Sequence, residues 1–363
     1  MKILTVLGTR PELIKLSEVI KKLETHHSIE HKLVHTGQNF TPELKDFFFK
    51  DLELREPDYY LNVNTGSYGA EVADIIKKTD EIFENEKPDG ILLLGDTYSC
   101  LSIMPAAQKK IKIFHMEAGL RAWDKRMPEQ RNRILIDHMS DILLPFNNYH
   151  RENLLRENIH PSKIFVTGNP TFEILRRYSK NIEESSIIEK LGLKKKDFFL
   201  LTFHRSENVD DEDNFIKTLK SFDEIGAIHK KLVVYPIHPR SRDKLKKKKI
   251  DFENLKLIDA LGYYDYNKLS KECYCILSDS GTAPEEGIFY NVPSVTVRDT
   301  SERYEVVESG LNIVSGLKRK NIIQAVSTIT SAEKKKTYYN LEIDRSPSDI
   351  VVNLINSNFT HYF

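Results

Sequence analysis

The sequence lacks several features that would each assign it to a particular class of protein. Its three cysteines are too few for a disulfide framework and do not have the spacing of zinc ligands, so we expect no metal site. No apolar run approaches the ~20 residues that cross a bilayer. The 54 basic residues balance 54 acidic ones, which argues against nucleic acid as a partner. The first residues lack the pattern of a signal peptide. We therefore expect a cytoplasmic protein that binds neither membrane nor nucleic acid.

Two common nucleotide-binding motifs are also missing. No Gly-x-Gly-x-x-Gly follows the first apolar run, which argues against a nicotinamide or flavin enzyme. The turn Ser280-Gly281 is not followed by Gly-Lys-Ser/Thr, so it is not a Walker loop.

What the sequence does contain is a repeated alternation of apolar runs and amphipathic segments of helical length. Near-continuous apolar runs indicate strands buried on both faces, and hence a parallel sheet covered by helices. The alternation occurs twice in 363 residues, which predicts two doubly wound α/β domains. The predicted strands are Ile3–Leu7, Lys32–His35, Gly90–Leu94, Ile111–His115, Asp141–Phe146, Lys163–Thr167, Phe198–Phe203, Leu232–Ile237, Leu255–Ile258, Tyr274–Leu277, Ser294–Val297 and Ile313–Val314.

A turn at Gly168-Asn169-Pro170 separates the two series of strands. It predicts an N-terminal domain over residues 1–169 and a C-terminal domain over 170–347, with Thr171–Leu191 as the first helix of the second. The periodicity of Ser348–Ser357 predicts a C-terminal helix, within 348–363, that packs back on the first domain. Two such domains facing each other would form a cleft. Ligands of doubly wound sheets bind at the carboxyl ends of strands, so polar residues directly after the apolar runs are candidate site residues.

Three acidic residues in the first half are candidate site residues, two because they follow a strand and one because it lies at the start of a helix. Asp96 and Glu117 follow two successive strands, and Glu129 lies at the start of a helix behind a proline. Structural roles are the alternative: a helix N-cap for Asp96, and ion pairs with Arg121 or Arg133 for the two glutamates. The cations available to keep these acids ionised are Arg10, Lys15 and Arg121.

In the second half, the strongest feature is the strand that ends in Ser278-Asp279 and passes through Ser280-Gly281 into a helix. The helix N-terminus and its backbone N–H groups would bind a pyrophosphate. Glu286 lies about one turn further along, where it could accept hydrogen bonds from ribose hydroxyls. For His204, which follows a strand in this half, a hydrogen-bonded structural role is the alternative. Other polar residues that follow strands in this half are Arg205, His238 and Arg303.

Seven motifs, taken in order, resemble those of the non-hydrolysing UDP-N-acetylglucosamine 2-epimerases. They are GTRPE, GDT, EAGLR, PEQRNR, HRSEN, DSGTAPEE and RDTSER, and together they span essentially the whole chain. The resemblance implies the glycosyltransferase-B fold, in which two Rossmann-like domains face a cleft. It also implies a homodimer, a UDP-sugar substrate, no added redox cofactor and a place in polysaccharide biosynthesis.

The resemblance further implies a reaction and roles for individual residues. UDP-N-acetylglucosamine and UDP-N-acetylmannosamine are interconverted by elimination of UDP to a 2-acetamidoglucal and re-addition. By position, the catalytic residues are Asp96, Glu117, Glu129 and His204. The residues expected to bind the substrate or its UDP are Arg10, Lys15, Arg121, Arg205, His238, Ser280, Gly281, Glu286 and Arg303.

Alternatives remain for the substrate and for the reaction. Residues 94–100 and 123–130 resemble a subgroup that converts UDP-N-acetyl-L-talosamine to UDP-N-acetyl-L-fucosamine, whereas residues 117–121 match the main group. A glycosyltransferase of the same fold, or a hydrolysing relative that releases N-acetylmannosamine, would share much of the same architecture.

Overall fold

The protein is represented by a computed structural model, which describes residues 1–37, 49–124, 127–209, 211–237, 241–242, 245, 248, 250–331 and 344–357. The chain divides into two compact units, one formed by Met1–Ile174 with Asn340–Phe363 and the other by Leu175–Tyr339. A search of the described residues finds no helix with the length and apolar character to cross a membrane.

The first unit is built on a six-stranded sheet whose neighbouring strands all run parallel. In spatial order β3-β2-β1-β4-β5-β6, its strands are β1 (Lys2–Leu7), β2 (Glu30–His35), β3 (Tyr59–Tyr60), β4 (Gly90–Leu94), β5 (Lys112–Met116) and β6 (Ile142–Leu144). The helices are α1 (Arg10–Thr25), α2 (Tyr68–Glu86), α3 (Ile103–Gln108), α4 (Pro128–Met139), α5 (Asn148–Arg156) and α6 (Pro170–Arg177), with single 3₁₀ turns at Tyr98–Ser102 and Pro161–Lys163.

The second unit repeats this arrangement with a second parallel sheet of six strands. In spatial order β12-β11-β10-β7-β8-β9, its strands are β7 (Phe198–Thr202), β8 (Leu232–Pro236), β9 (Leu255–Ile258), β10 (Cys275–Ser278), β11 (Ser294–Thr296) and β12 (Asn312–Val314). The helices are α7 (Ser179–Glu184), α8 (Ile187–Lys190), α9 (Ser206–Val209), α10 (Glu212–His229), α11 (Tyr263–Glu272), α12 (Ala283–Tyr290), α13 (Tyr304–Glu308) and α14 (Arg319–Ser331), and α15 (Pro347–Asn356) follows in the first unit.

Successive residues of β7 show why its apolar run is continuous. Phe199 packs in one cluster with Phe222 of α10, and Phe198 packs in another with Leu269 of α11. Because side chains alternate across a strand, both faces of the sheet are covered by helices. The prediction of doubly wound α/β domains is confirmed.

The predicted strand Lys163–Thr167 is wrong. An isolated bridge and two backbone hydrogen bonds join this segment to the end of β6, but no continuous strand forms before Gly168, with φ of 90°, turns the chain away. The sixth strand of the first sheet is β3 instead. At two residues it is too short to produce an alternating pattern in the sequence.

The single helix predicted over Thr171–Leu191 is also wrong, because the chain forms α6, α7 and α8 there. The break after α7 lies at Ser185, whose backbone is extended and whose hydroxyl accepts a hydrogen bond from the Ile187 amide. Serine competes with the helix in this way by bonding its own neighbours. The C-terminal α15 packs against α1, with Asp349 2.6 Å from Lys22; positions 358–363 of the predicted helix lie outside the described residues.

Candidate active site

Each sheet has one point where the order of its strands reverses, between β1 and β4 in the first unit and between β7 and β10 in the second. The turns that leave these strands carry six of the thirteen candidate residues. In the first unit they are Gly8-Thr9-Arg10 and Gly95-Asp96-Thr97, and in the second His204-Arg205 and Asp279-Ser280-Gly281. A doubly wound sheet binds its ligand at this position.

Glu12 joins the two turns of the first unit. One oxygen of its buried carboxylate accepts hydrogen bonds from the amides of Gly8 and Thr9 at 3.1 and 2.8 Å. The other accepts from the hydroxyls of Thr97 and Ser99 at 2.9 and 2.5 Å. Burial raises the pKa of Glu12, while these donors act in the opposite direction. The carboxylate therefore holds the end of β1 to the end of β4.

This geometry predicts different results for two substitutions of Glu12. Glu12→Ala should lower the free energy of unfolding by about 2–3 kcal/mol, because buried amides that lose an acceptor cost about 1–3 kcal/mol each. Glu12→Gln should cost less, since its carbonyl can serve the amides while its NH₂ group faces hydroxyls that can accept. Urea unfolding measures both. The control Glu84→Ala, at a largely exposed glutamate, should leave stability nearly unchanged, and equal losses for the two Glu12 variants would contradict the assignment.

Lys15 and Glu117 form a buried ion pair at the same edge. Lys15 Nζ lies 2.5 Å from Glu117 Oε2 and 5.2 Å from the centre of the Phe146 ring. Glu117 follows β5 with φ of 65°, a left-handed conformation that costs energy for a residue with a side chain. Its other oxygen lies 3.8 Å from where a Cβ on Gly95 would stand, so the carboxylate lies against the turn that carries Asp96. Glu117 therefore pairs with Lys15, whereas Arg121, its partner in the alternative structural role, contacts Asp137 and Glu157.

Asp96 pairs with an arginine from the helix that carries Glu129. Its carboxylate accepts from Arg133 Nε at 2.6 Å, and its carbonyl accepts from the Asn132 side chain at 2.9 Å. It is not the predicted N-cap, because Thr97 holds that position before the 3₁₀ turn. Glu129 is half-buried in the first turn of α4, the same helix that carries Asn132 and Arg133. Asp96 and α4 therefore meet at the carboxyl edge of the sheet.

Arg121 lies in the interior of the unit rather than at this edge. Its guanidinium is fully buried, with Nε and Nη2 each 2.7 Å from Glu157 and Nη1 2.7 Å from Asp137. Burial alone would lower the pKa of Arg121, but the two carboxylates raise it. The arrangement favours a structural role for this arginine.

Sequence reasoning missed Glu12, Asp137 and His115 as parts of the site. Glu12 had a detectable signal, since Thr9-x-x-Glu12 is a capping-box pattern at the start of a helix. Asp137 and His115 lie inside a helix and a strand, where neither a turn nor a motif distinguishes them.

In the second unit, the buried Asp279 holds the turn that carries His204. Its carboxylate accepts from the amides of His204 and Arg205 at 3.1 and 2.9 Å and from Asn208 Nδ2 at 3.0 Å. Arg205 Nε also donates to the Asp279 carbonyl at 3.0 Å. The His204 side chain is 47% exposed, so Asp279 fixes its backbone while its ring stays accessible. Asp279 is the first residue of the motif DSGTAPEE, but its role was not predicted.

Ser280 and Gly281 form the turn into α12. The Ser280 hydroxyl accepts from the Thr282 amide at 3.3 Å, which orders the turn before the helix. Glu286 is buried beside Tyr266 and Tyr290. The burial of each tyrosine raises the pKa of its phenol, and the negative charge of Glu286 raises it further.

Arg303 is buried, with Nη1 3.0 Å from Glu285 Oε1 in the first turn of α12. It therefore joins the chain after β11 to this helix. Arg10 is half-buried at the first position of α1 in the other unit. His238 lies outside the described residues.

Comparison with known proteins identifies one family. A family model described as UDP-N-acetylglucosamine 2-epimerase matches residues 21–346. A UDP-N-acetylglucosamine 2-epimerase from Methanocaldococcus jannaschii is 37% identical over 350 residues, which cover 94% of each chain. A UDP-2,3-diacetamido-2,3-dideoxy-D-glucuronate 2-epimerase from Pseudomonas aeruginosa is 34% identical over 332 residues, which cover 90% of this chain and 92% of that one.

A similar solved structure is the Methanocaldococcus jannaschii UDP-GlcNAc 2-epimerase in complex with UDP-GlcNAc and UDP. It has a TM-score of 0.89 and 35% sequence identity, and the match covers 98% of this chain and 100% of that chain.

Proposed function

The chain belongs to the UDP-N-acetylglucosamine 2-epimerase family of isomerases, and on that basis we propose that it interconverts UDP-N-acetylglucosamine and UDP-N-acetylmannosamine. The observation that carries the proposal is the buried carboxylate of Glu117, held in a strained conformation beside Lys15 and against the turn of Asp96. The similar Methanocaldococcus jannaschii structure in complex with UDP-GlcNAc and UDP supports the choice of substrate.

The proposed reaction needs at least two groups that exchange protons. A carboxylate takes the C2 proton, the C–H electron pair forms the C1–C2 double bond, and the C1–O pair leaves with UDP. UDP then adds back to C1 of the 2-acetamidoglucal while a proton reaches C2 from the opposite face. Removal on one face and return on the other suit a set of carboxylates rather than one. We assign this work to Asp96, Glu117 and Glu129 as a set, because interacting carboxyl groups titrate together.

The second unit would hold the nucleotide. We propose that Ser280, Gly281 and the N-terminus of α12 bind the diphosphate, where backbone N–H groups and the helix dipole favour negative charge. His204 and Arg205, ordered by Asp279, would stabilise the charge that grows on the departing UDP. Glu286 would contact the ribose. In the first unit, Arg10 and Lys15 are the proposed substrate cations.

A single experiment tests this function against its alternatives. The protein is incubated in D₂O with UDP-N-acetylglucosamine and the sugar is followed by NMR. Deuterium at C2 with UDP still attached is expected. Free N-acetylmannosamine would indicate a hydrolysing enzyme, and no exchange without an added acceptor would be the result for a glycosyltransferase.

The same exchange experiment distinguishes the sugars that related enzymes use. UDP-N-acetyl-L-talosamine tests the 6-deoxy-sugar subgroup. UDP-2,3-diacetamido-2,3-dideoxy-D-glucuronate tests the activity named for the Pseudomonas aeruginosa relative. Exchange with one of these sugars, and none with UDP-N-acetylglucosamine, would move the assignment to that substrate.

We also propose a homodimer, and the first unit offers an apolar surface for it. Met104 of α3 and Ile134 and Leu135 of the adjacent α4 are 42, 39 and 38% exposed. Leu135→Glu is expected to convert a dimer to a monomer in sedimentation velocity. The control Ile228→Glu, at an exposed apolar residue of the other unit, should leave the dimer intact. A wild-type protein that sediments as a monomer would contradict the proposal.

A further inference from the structure

Three buried side chains and one half-buried one, all charged or titratable, lie behind the carboxylates of the first unit. They are His115 at the end of β5, Asp137 in α4, Arg121, and Glu157 just after α5. His115, Asp137 and Arg121 are each at most 1% exposed. Burial alone would raise the pKa of Asp137, but its contacts with His115, Arg121 and the Gly119 amide lower that pKa below its usual value. Asp137 Oδ2 also lies 3.0 Å from the Gly119 amide and 2.7 Å from Arg121 Nη1, which can only donate, so this side chain serves as a hydrogen-bond acceptor.

Both ring nitrogens of His115 face groups that only accept. Nε2 is 2.8 Å from the carbonyl oxygen of Gly95, and Nδ1 is 2.8 Å from Asp137 Oδ1. A neutral imidazole carries one N–H and can satisfy one of these acceptors, whereas an imidazolium satisfies both. A protonated His115 and Arg121 would place two positive charges against the carboxylates of Asp137 and Glu157, and Glu157 also lies 3.1 Å from the exposed His138. An uncompensated charge at this depth would be costly.

We propose that His115 is held as an imidazolium and is a positioning residue for the two catalytic turns. One ring nitrogen fixes the carbonyl of Gly95, the residue before Asp96. The other ring nitrogen fixes Asp137. The second oxygen of Asp137 accepts a hydrogen bond from the Gly119 amide at 3.0 Å, and Gly119 lies two residues after Glu117. A single charged ring thus ties both carboxylate-bearing turns to α4.

The turn after Glu117 has little freedom to adjust if this contact is lost. Gly119 has φ of 78°, and a Cβ there would stand 2.1 Å from the His150 carbonyl oxygen in α5. The turn is therefore confined between α5 on one side and Asp137 on the other. The catalytic part of the proposal rests on the proposed epimerase function; the charge state of His115 does not.

The charge state can be measured in the unsubstituted protein. In a sample labelled with ¹⁵N-histidine, at neutral pH, both ring nitrogens of His115 should show the chemical shifts of protonated nitrogen. The signals are assigned by their absence from a His115→Gln sample. One ring nitrogen with the shift of an unprotonated imidazole would overturn the proposal, whether or not the protein is an epimerase.

Two variants test positioning, because each keeps one contact. The asparagine amide of His115→Asn can replace Nδ1, and the glutamine amide of His115→Gln can replace Nε2. We expect each to lower kcat at least about tenfold with KM changed less than about twofold, since UDP-sugar binding does not use this ring. The control His31→Gln removes another buried histidine of the unit, bonded to Thr5, and should leave kcat unchanged.

The outcomes separate this inference from the proposed function. Wild-type kcat in folded His115→Asn and His115→Gln would overturn the positioning role. If the wild-type protein is inactive but His115 is doubly protonated, the epimerase assignment is wrong and the proposed charge state of His115 is correct. Where a variant does not fold, the NMR measurement on the unsubstituted protein still decides the charge state on which the inference depends.

Discussion

Glu117→Gln is expected to lower kcat by a factor of about 10² or more while the protein still folds. Glutamine keeps the size of the side chain, and its carbonyl can still accept from Lys15, but it can neither take nor return a proton. Because proton removal and return at C2 are the chemical steps proposed, deuterium exchange in D₂O should fall together with epimerisation. Asp96→Asn should have the same effect, since Asp96 lies on the adjacent turn.

A second lysine–glutamate pair of the same unit provides the control. Glu86 accepts from Lys2 Nζ at 2.9 Å, and Glu86→Gln removes a carboxylate from that pair as well. It should change kcat little, so a large loss in Glu117→Gln alone would not be a general effect of removing a carboxylate from a lysine–glutamate pair. Near-normal turnover in both Glu117→Gln and Asp96→Asn would reject the carboxylates as proton-transfer groups.

The parts of the fold that were predictable are those where one local pattern has one physical cause. Strand β7 was recognisable because burial on both faces demands a continuous apolar run. The turn at Gly8 and the turn at Ser280 were recognisable because each follows such a run and opens a helix. The failures lie where tertiary contact decides. Strand β3 owes its existence to pairing with β2, and at the break after α7 the Ser185 hydroxyl donates to Asp265 of α11.

The candidate site shows the same division between residues at turns and residues inside elements. Asp96 and Glu117 could be identified because they follow strands. Asp137 could not, because a carboxylate in mid-helix usually faces water, and only the folded chain brings it to His115 and Arg121. Arg121 was expected at the substrate because it stands in the same motif as Glu117. Its side chain instead points into the unit, where it meets two carboxylates.

Arg121→Met is the second substitution for which we expect a large effect, and it should act on stability. It leaves the carboxylates of Asp137 and Glu157 without their guanidinium, and breaking a buried ion pair costs about 3–5 kcal/mol. Urea unfolding should show this loss, while KM of the folded fraction stays nearly unchanged. The control Arg10→Met, at a half-buried arginine of the carboxyl edge, should raise KM with little loss of stability. The reverse pattern would make Arg121 a substrate contact.

The pH dependence of Arg121→Met gives an independent check of the cause. In the wild type, burial alone would raise the pKa values of Asp137 and Glu157. Contacts with His115 and then Arg121 lower the pKa of Asp137 below its ordinary value of 3.8, and Arg121 lowers that of Glu157 below 4.5. A depressed carboxyl pKa contributes stability above the ordinary value, and that contribution is lost as the pH falls through the folded-state value. The stability difference between wild type and Arg121→Met should therefore be large at neutral pH and shrink in acid. In the double variant Arg121→Met/Glu157→Gln, part of the loss should be recovered, because one of the two carboxylates that lose the guanidinium is gone. A difference that does not change with pH would mean that lost packing, rather than lost charge pairing, destabilises the variant.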